Sequence, residues 1–421
     1  MKNANNIKSE LILYAVLFAV SCINTYFIYG FLFIVLALNI GKGAEGFLKI
    51  CIWFSLRQCF FVPGLSRITD TQQTVKLIIV AFCAIKIIIS NRTEIPRYVY
   101  WIIAFCVSAL FSCSFFGSYP IAGAIKVINF SIVFYAVLLA VESCKGYFDV
   151  GRYFYSIIRI VIVVSICCLP FSQTYLLGSA GMSFRGIWNH PNDFAVICAV
   201  FIALTLVFNE NIKLWNIAEI VVALALIMAS RARGGLVSAG LIMISYLFIT
   251  KNRRNRLVIA FCLFALLLIA INTKLGNEVI EFFLKTATGF DTAFSSRNKI
   301  IETALYRYHS NPLFGRGLLI SYLPGEKSYI LFENGTEPGN IFYELLGGTG
   351  IVGVILFAIM CIVFFLRSRG ENRIFVVVAI AASIAEVSFF SVNNYACLYY
   401  ILIALSLIDD NEGMGRFGTE V

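Results

Sequence analysis

The residues best suited to bond-making chemistry fall into three polar segments. The first, Phe184 to Asn192, reads Phe-Arg-Gly-Ile-Trp-Asn-His-Pro-Asn. Its Pro191 suits a first helical turn, whose free N–H groups favour a phosphate, as does the Arg185 guanidinium. An arginine placed deep in a bilayer costs on the order of 2.5–3.5 kcal/mol at a helix centre, and a bound anion offsets that. The competing reading is a capped helix start with Arg185 reaching out to lipid headgroups. The second segment, Ala229 to Gly235, carries Arg231 and Arg233 ahead of two glycines. Guanidiniums bind phosphate oxygens in a bidentate fork, so a diphosphate is the natural partner, and acidic residues elsewhere are the structural alternative. The third segment, Lys274 to Ile341, is a polar stretch of unusual length holding Arg297, Arg307, His309, Arg316, Glu337 and Asn340. Its seven Lys/Arg are matched by seven Asp/Glu, so individual residues and not bulk charge carry its chemistry. His309 has the chemistry of a general base, although a lone loop histidine is more often a surface or capping residue.

These segments must be positioned by a membrane scaffold. The 421 residues are 60% hydrophobic and 13% charged, with a mean hydropathy of +0.87, which excludes a soluble fold of this size. Apolar runs recur near the roughly 20 residues that cross a hydrocarbon core as helix, and they lack the alternation of a membrane barrel. The expected fold is therefore an all-α polytopic bundle of about twelve to fourteen transmembrane helices. It forms one membrane domain over residues 1–421 with one large extracytoplasmic loop, about 274–341. The basic start leads into an apolar stretch too long for a cleavable signal, so the first span is expected to stay. Leu11 to Ile40 reads either as one tilted span or as a tight hairpin, and Arg57 interrupts the run Phe47 to Phe61. The thirteen cysteines show no paired ligand spacing and read as small buried hydrophobes.

The net charge of +10 clusters at span ends, where it orients a membrane protein, so nucleic acid is not an expected partner. Lys251, Arg253, Arg254 and Arg256 mark one cytoplasmic loop, and Arg367, Arg369 and Arg373 another. Counting spans between them places the large loop, Ser172 to Asn192 and Ser230 to Gly234 together on the outer face. Both termini then fall inside.

In their order these pieces resemble the O-antigen ligase and polymerase superfamily. The resemblance covers about Arg185 to Gly353: the arginine and His-Pro-Asn segment, Ser230-Arg231 with Gly234-Gly235, Pro312-Leu313-Phe314-Gly315-Arg316-Gly317, then Asn340 and Gly350-Ile351-Val352-Gly353. It implies a glycosyltransferase of the bacterial inner membrane that uses undecaprenyl-diphosphate-linked oligosaccharide, with membrane lipid around it and a chain-length regulator as a further partner left open. By position Arg185, Arg233 and Arg297 would hold the diphosphate, with Arg231 a rival for Arg233 and with His190 and Asn192 at the same site. Ligases of the family carry a histidine beside the loop asparagine, whereas Gly339 precedes Asn340 here. That departure favours a polymerase, with Glu337 as base beside Asn340, and Glu344 and His309 as rivals. No cofactor and no metal are expected, since the donor already carries an activated leaving group. A ligase acting on lipid A core and a lipid-linked oligosaccharide flippase are the alternatives.

Overall fold

The computed structural model describes residues 2–60, 65–91, 95–117, 120–178, 181–209, 211–272, 295–318, 340–385, 389–392 and 395–408. Fifteen α-helices follow one another among them. They are α1 (Lys2–Ser21), α2 (Thr25–Asn39), α3 (Gly43–Cys59), α4 (Asp70–Ser90), α5 (Val99–Phe116), α6 (Pro120–Ser143) and α7 (Val150–Cys167). After a short hairpin of β1 (Tyr175–Gly178) and β2 (Gly181–Phe184) come α8 (Pro191–Phe208), α9 (Leu214–Ala229), α10 (Arg233–Ile249) and α11 (Arg253–Asn272). The chain continues through α12 (Ser295–Ser310), α13 (Ile341–Arg367), α14 (Arg373–Ala385) and α15 (Ala396–Ser406). Six of these, α4 to α8 and α13, are long and apolar enough to cross a membrane, and several shorter helices are equally apolar. The fold is the all-α polytopic membrane architecture expected from the sequence.

The stretch Leu11 to Ile40 is a hairpin. Asn24 ends the break by accepting the Tyr26 N–H at 3.0 Å, a side-chain cap that satisfies a donor the new helix cannot. Arg57 does not interrupt α3. Although wholly buried, it donates to the Ser21 hydroxyl at 2.8 Å and to the carbonyls of Ser21 at 3.0 Å and Ser66 at 2.7 Å. Three neutral oxygens from two chain segments thus replace the water its charge would otherwise require.

The most deeply enclosed helix is α8, buried around its whole circumference from Phe194 to Leu206, as an all-apolar helix in a bundle should be. It packs against α7, α9, α10 and α14. Its neighbour α10 runs parallel to it. A Cβ at Gly235 would lie 2.4 Å from that of Ala195, so the two helices meet small residue on small residue near their starts. Near their ends, Ile212 N–H donates to Asn255 Oδ1 at 3.1 Å.

Contacts between chain breaks sort into two ends of the bundle. At one end Ser66 N–H reaches Cys22 O at 2.8 Å, Asn189 N–H reaches Cys59 O at 2.7 Å, and Gly317 N–H reaches Ser112 Oγ at 3.2 Å. At the other, Lys86 donates to Ile40 O at 3.0 Å, Ser143 to Asn91 at 3.2 Å and Tyr246 to Glu371 at 3.4 Å. The segments holding Arg185, Arg231, Arg233 and the described part of the long polar stretch all belong to the first end.

Candidate functional site

Arg185 is presented by the turn that leaves β2. Trp188 N–H closes the turn on Arg185 O at 3.0 Å, and Gly186 between them has φ +57°, with the Ser165 hydroxyl 2.7 Å from where a Cβ would stand. Only glycine fits there. The guanidinium is buried and donates to the carbonyls of Asn189 at 3.2 Å and Gln173 at 3.1 Å. Burial, and then the nearby Arg67, push its pKa below the usual arginine value; like charges have been gathered here. Trp188 locks the turn onto α3 through a bridge to Phe60 and an edge-on ring contact at 5.2 Å.

The same turn runs into α8. His190 is exposed and caps that helix, its Nδ1 accepting the Asn192 N–H at 3.2 Å. Arg231 is the only non-glycine with positive φ among the described residues, at 52°. It sits just past the end of α9, where a left-handed residue terminates a helix, and the chain then enters α10 at the half-buried Arg233. Since Gly235 meets Ala195, Arg233 and Asp193 each stand two residues, about 3 Å, beyond the contact on parallel helices. The end of α9 also touches β2. Arg185, His190, Asn192, Arg231 and Arg233 therefore share one region, around the starts of α8 and α10.

The described part of the long polar stretch forms a second region at the same end. Within α13 the helix breaks at Gly350, with φ 62° and ψ −165°. In an unbroken helix the N–H groups of Ile351 and Val352 would bond to the carbonyls of Gly347 and Gly348. Instead they donate to Pro312 O at 2.9 Å and Leu313 O at 3.2 Å, while the freed carbonyls accept from Arg316 N–H at 2.9 Å and Gly317 N–H at 2.7 Å. The Pro-Leu-Phe-Gly-Arg-Gly segment thus substitutes for two rungs of the helix, and every displaced backbone group is satisfied. Ser112 of α5 clamps the joint, donating to Gly348 O at 2.6 Å and accepting the Gly317 N–H at 3.2 Å. Gly317 and Leu318, read from the sequence as loop, are buried in the bundle.

On this joint rests α12, which crosses α13 at Ala304 against Gly347. Arg297 lies in its first turn. His309, exposed in its last turn, contacts the ring of Tyr308 at 5.5 Å. Asn340 caps α13 by accepting the Phe342 N–H at 2.9 Å. Glu344, one turn in, is buried and paired with Lys126 of α6 at 3.0 Å. Glu337 lies outside the described residues.

Residues 218–358 match the family model described as O-Antigen ligase. The match spans a third of the chain and supports its resemblance to the O-antigen ligase and polymerase superfamily. Members of this superfamily are glycosyltransferase-like enzymes. No curated protein and no solved structure matches the chain. The matched span holds Arg231, Arg233, Arg297, His309, Asn340 and the whole glycine joint, while Arg185, His190 and Asn192 precede it. The two regions communicate through α14, which packs against α8, α10 and α13.

Sequence reasoning missed Ser112, the Lys126–Glu344 pair and the bond from the Tyr395 hydroxyl to Asp193 Oδ1 at 2.9 Å. Lys126 was visible as a charge inside an apolar span. Nothing in the sequence signalled the other two.

Proposed function

We propose that the chain is a polymerase of lipid-linked oligosaccharide repeat units, acting on the outer face of the bacterial cytoplasmic membrane. It moves the growing glycan from undecaprenyl diphosphate onto a sugar hydroxyl of another lipid-linked unit. The observation that carries this reading is the meeting of Arg185, Arg231 and Arg233 at the starts of two parallel helices. Each helix start contributes about half a positive charge. Two such starts beside three guanidiniums favour an anion there beyond the single carboxylate of Asp193, and a diphosphate supplies charge and acceptors together. The opposite end carries the Lys251 to Arg256 cluster and Arg367, Arg369 and Arg373, which supports its being cytoplasmic.

In the reaction the acceptor oxygen attacks C1 of the donor's first sugar and the diphosphate leaves. Arginines stabilise the charge growing on the leaving group, a role that needs no metal, and by the family resemblance Arg297 would join them. Gly339, in place of the ligase histidine, favours polymerase over ligase. The test is a gel profile of surface glycans from a strain lacking the chain, against the same strain complemented. Loss of the ladder with one repeat unit still attached to lipid A core supports the polymerase. Loss of all attachment, with long glycan on the carrier lipid, makes it a ligase, and an unchanged profile removes both.

A further inference from the structure

A transfer of this kind needs a base for the acceptor hydroxyl, and two described candidates from the sequence are poorly set for it. Glu344 is buried in its pair with Lys126, and His309 stands exposed beside Tyr308 on α12. Another carboxylate lies at the arginine region. Asp193, in the first turn of α8 beside Asn192, is half-buried, while Asn189 and His190 just before it are exposed, so it stands at the mouth of the site. A negative charge is stabilised at such a helix start. Its Oδ1 accepts the Tyr395 hydroxyl at 2.9 Å. Tyr395 is itself wholly buried, edge-on to Trp188 at 6.4 Å, and Trp188 belongs to the turn that carries Arg185. A rigid ring on one side of the site thus fixes the rotation of a carboxylate on the other. The Cys59 carbonyl accepts the Asn189 N–H at 2.7 Å, and the Asn189 carbonyl accepts from Arg185 at 3.2 Å. Hydrogen bonds therefore run from Arg185 through Asn189, four residues before Asp193, to the end of α3.

We propose that Asp193, oriented by Tyr395 as a positioning residue, is the general base of the transfer; this rests on the polymerase reading. The acceptor oxygen forms its bond to C1 as the C1–O bond to the diphosphate breaks. The diphosphate leaves with the bonding pair, and the hydroxyl proton passes to the Asp193 carboxylate. No further reactant is consumed.

The test uses the full chain in proteoliposomes with undecaprenyl-diphosphate-linked repeat unit isolated from a strain lacking the chain. Asp193→Asn keeps an acceptor for the Tyr395 hydroxyl, so a merely structural role survives the change. It is expected to lower kcat at least ~100-fold with the donor KM unchanged. Tyr395→Phe keeps the ring packed and is expected to lower kcat about 10-fold, again without moving KM. Wild-type turnover from either variant, or a loss confined to KM, overturns the assignment while leaving the polymerase reading intact. A wild-type chain that does not extend the repeat unit overturns both.

Discussion

The two ends of the bundle treat positive charge differently. At the basic-loop end carboxylates and rings are frequent partners of cations: Lys49 contacts Glu10 and Glu45 at 2.6 Å each, Lys145 contacts Glu142 at 2.6 Å, and Arg152 contacts Asp149 at 3.3 Å, while Lys86, Arg256 and Arg373 donate to the carbonyls of Ile40, Thr250 and Ser368. Arg367 lies over Tyr98 at 5.6 Å and Arg373 over Phe365 at 5.5 Å. At the other end Lys126 pairs with Glu344, whereas the described side-chain bonds of Arg57, Arg185 and Arg316 go to carbonyl and hydroxyl oxygens. A carboxylate cancels a charge, whereas a carbonyl orients it and leaves its field in place. The basic-loop end holds ion pairs of Lys42, Lys49 and Lys145 that tie neighbouring turns and helices together. The other holds arginines in fixed directions, as a site for a mobile anion requires.

That contrast is open to direct attack, and the largest effect is expected at the arginines. Arg185→Ala and Arg233→Ala should each lower repeat-unit extension about 100-fold or more, with the protein still in the membrane by immunoblot, whereas Arg152→Ala should extend normally. Next in size is the glycine joint. Gly350→Ala places a Cβ 2.5 Å from the Leu313 backbone at a φ of +62°. Strain of roughly 1–3 kcal/mol, added to that clash, should separate the joint, lower the melting temperature of the detergent-purified chain and abolish the ladder. Lys126→Ala leaves Glu344 buried without its cation, a loss of about 3–5 kcal/mol, and Lys126→Ala with Glu344→Gln should recover most of it in the same melt. The smallest change is expected at the basic-loop end, where removing the partly exposed Lys145–Glu142 pair should cost no more than about 1 kcal/mol and leave extension unaltered.

The membrane scaffold was legible because apolar runs of helical length have few alternatives in a bilayer. The arginines were legible as residues out of place; the capped helix start weighed for Phe184 to Asn192 is found, with His190 as its cap, but Arg185 is buried on carbonyls and does not reach outward. Their neighbourhood was not legible, since nothing local states that α8 and α10 lie parallel with Ala195 against Gly235. The two glycine motifs were visible separately as flexible punctuation. That they form one joint depends on Gly350 adopting a conformation that glycine permits but does not dictate, and on Ser112, 236 residues from the carbonyl it clamps. Asp193 and Tyr395 are 202 residues apart, and each alone looks ordinary.

The central claim is that the arginine end binds a lipid diphosphate. Its most direct test is the binding of undecaprenyl diphosphate to the purified chain in nanodiscs, compared among wild type, Arg185→Ala, Arg233→Ala and Arg152→Ala. The account predicts binding by wild type and Arg152→Ala alike, and at least ~10-fold weaker binding by the other two, the loss of one charge-assisted contact each. Equal binding by all four chains, or weakening at Arg152 alone, would contradict it.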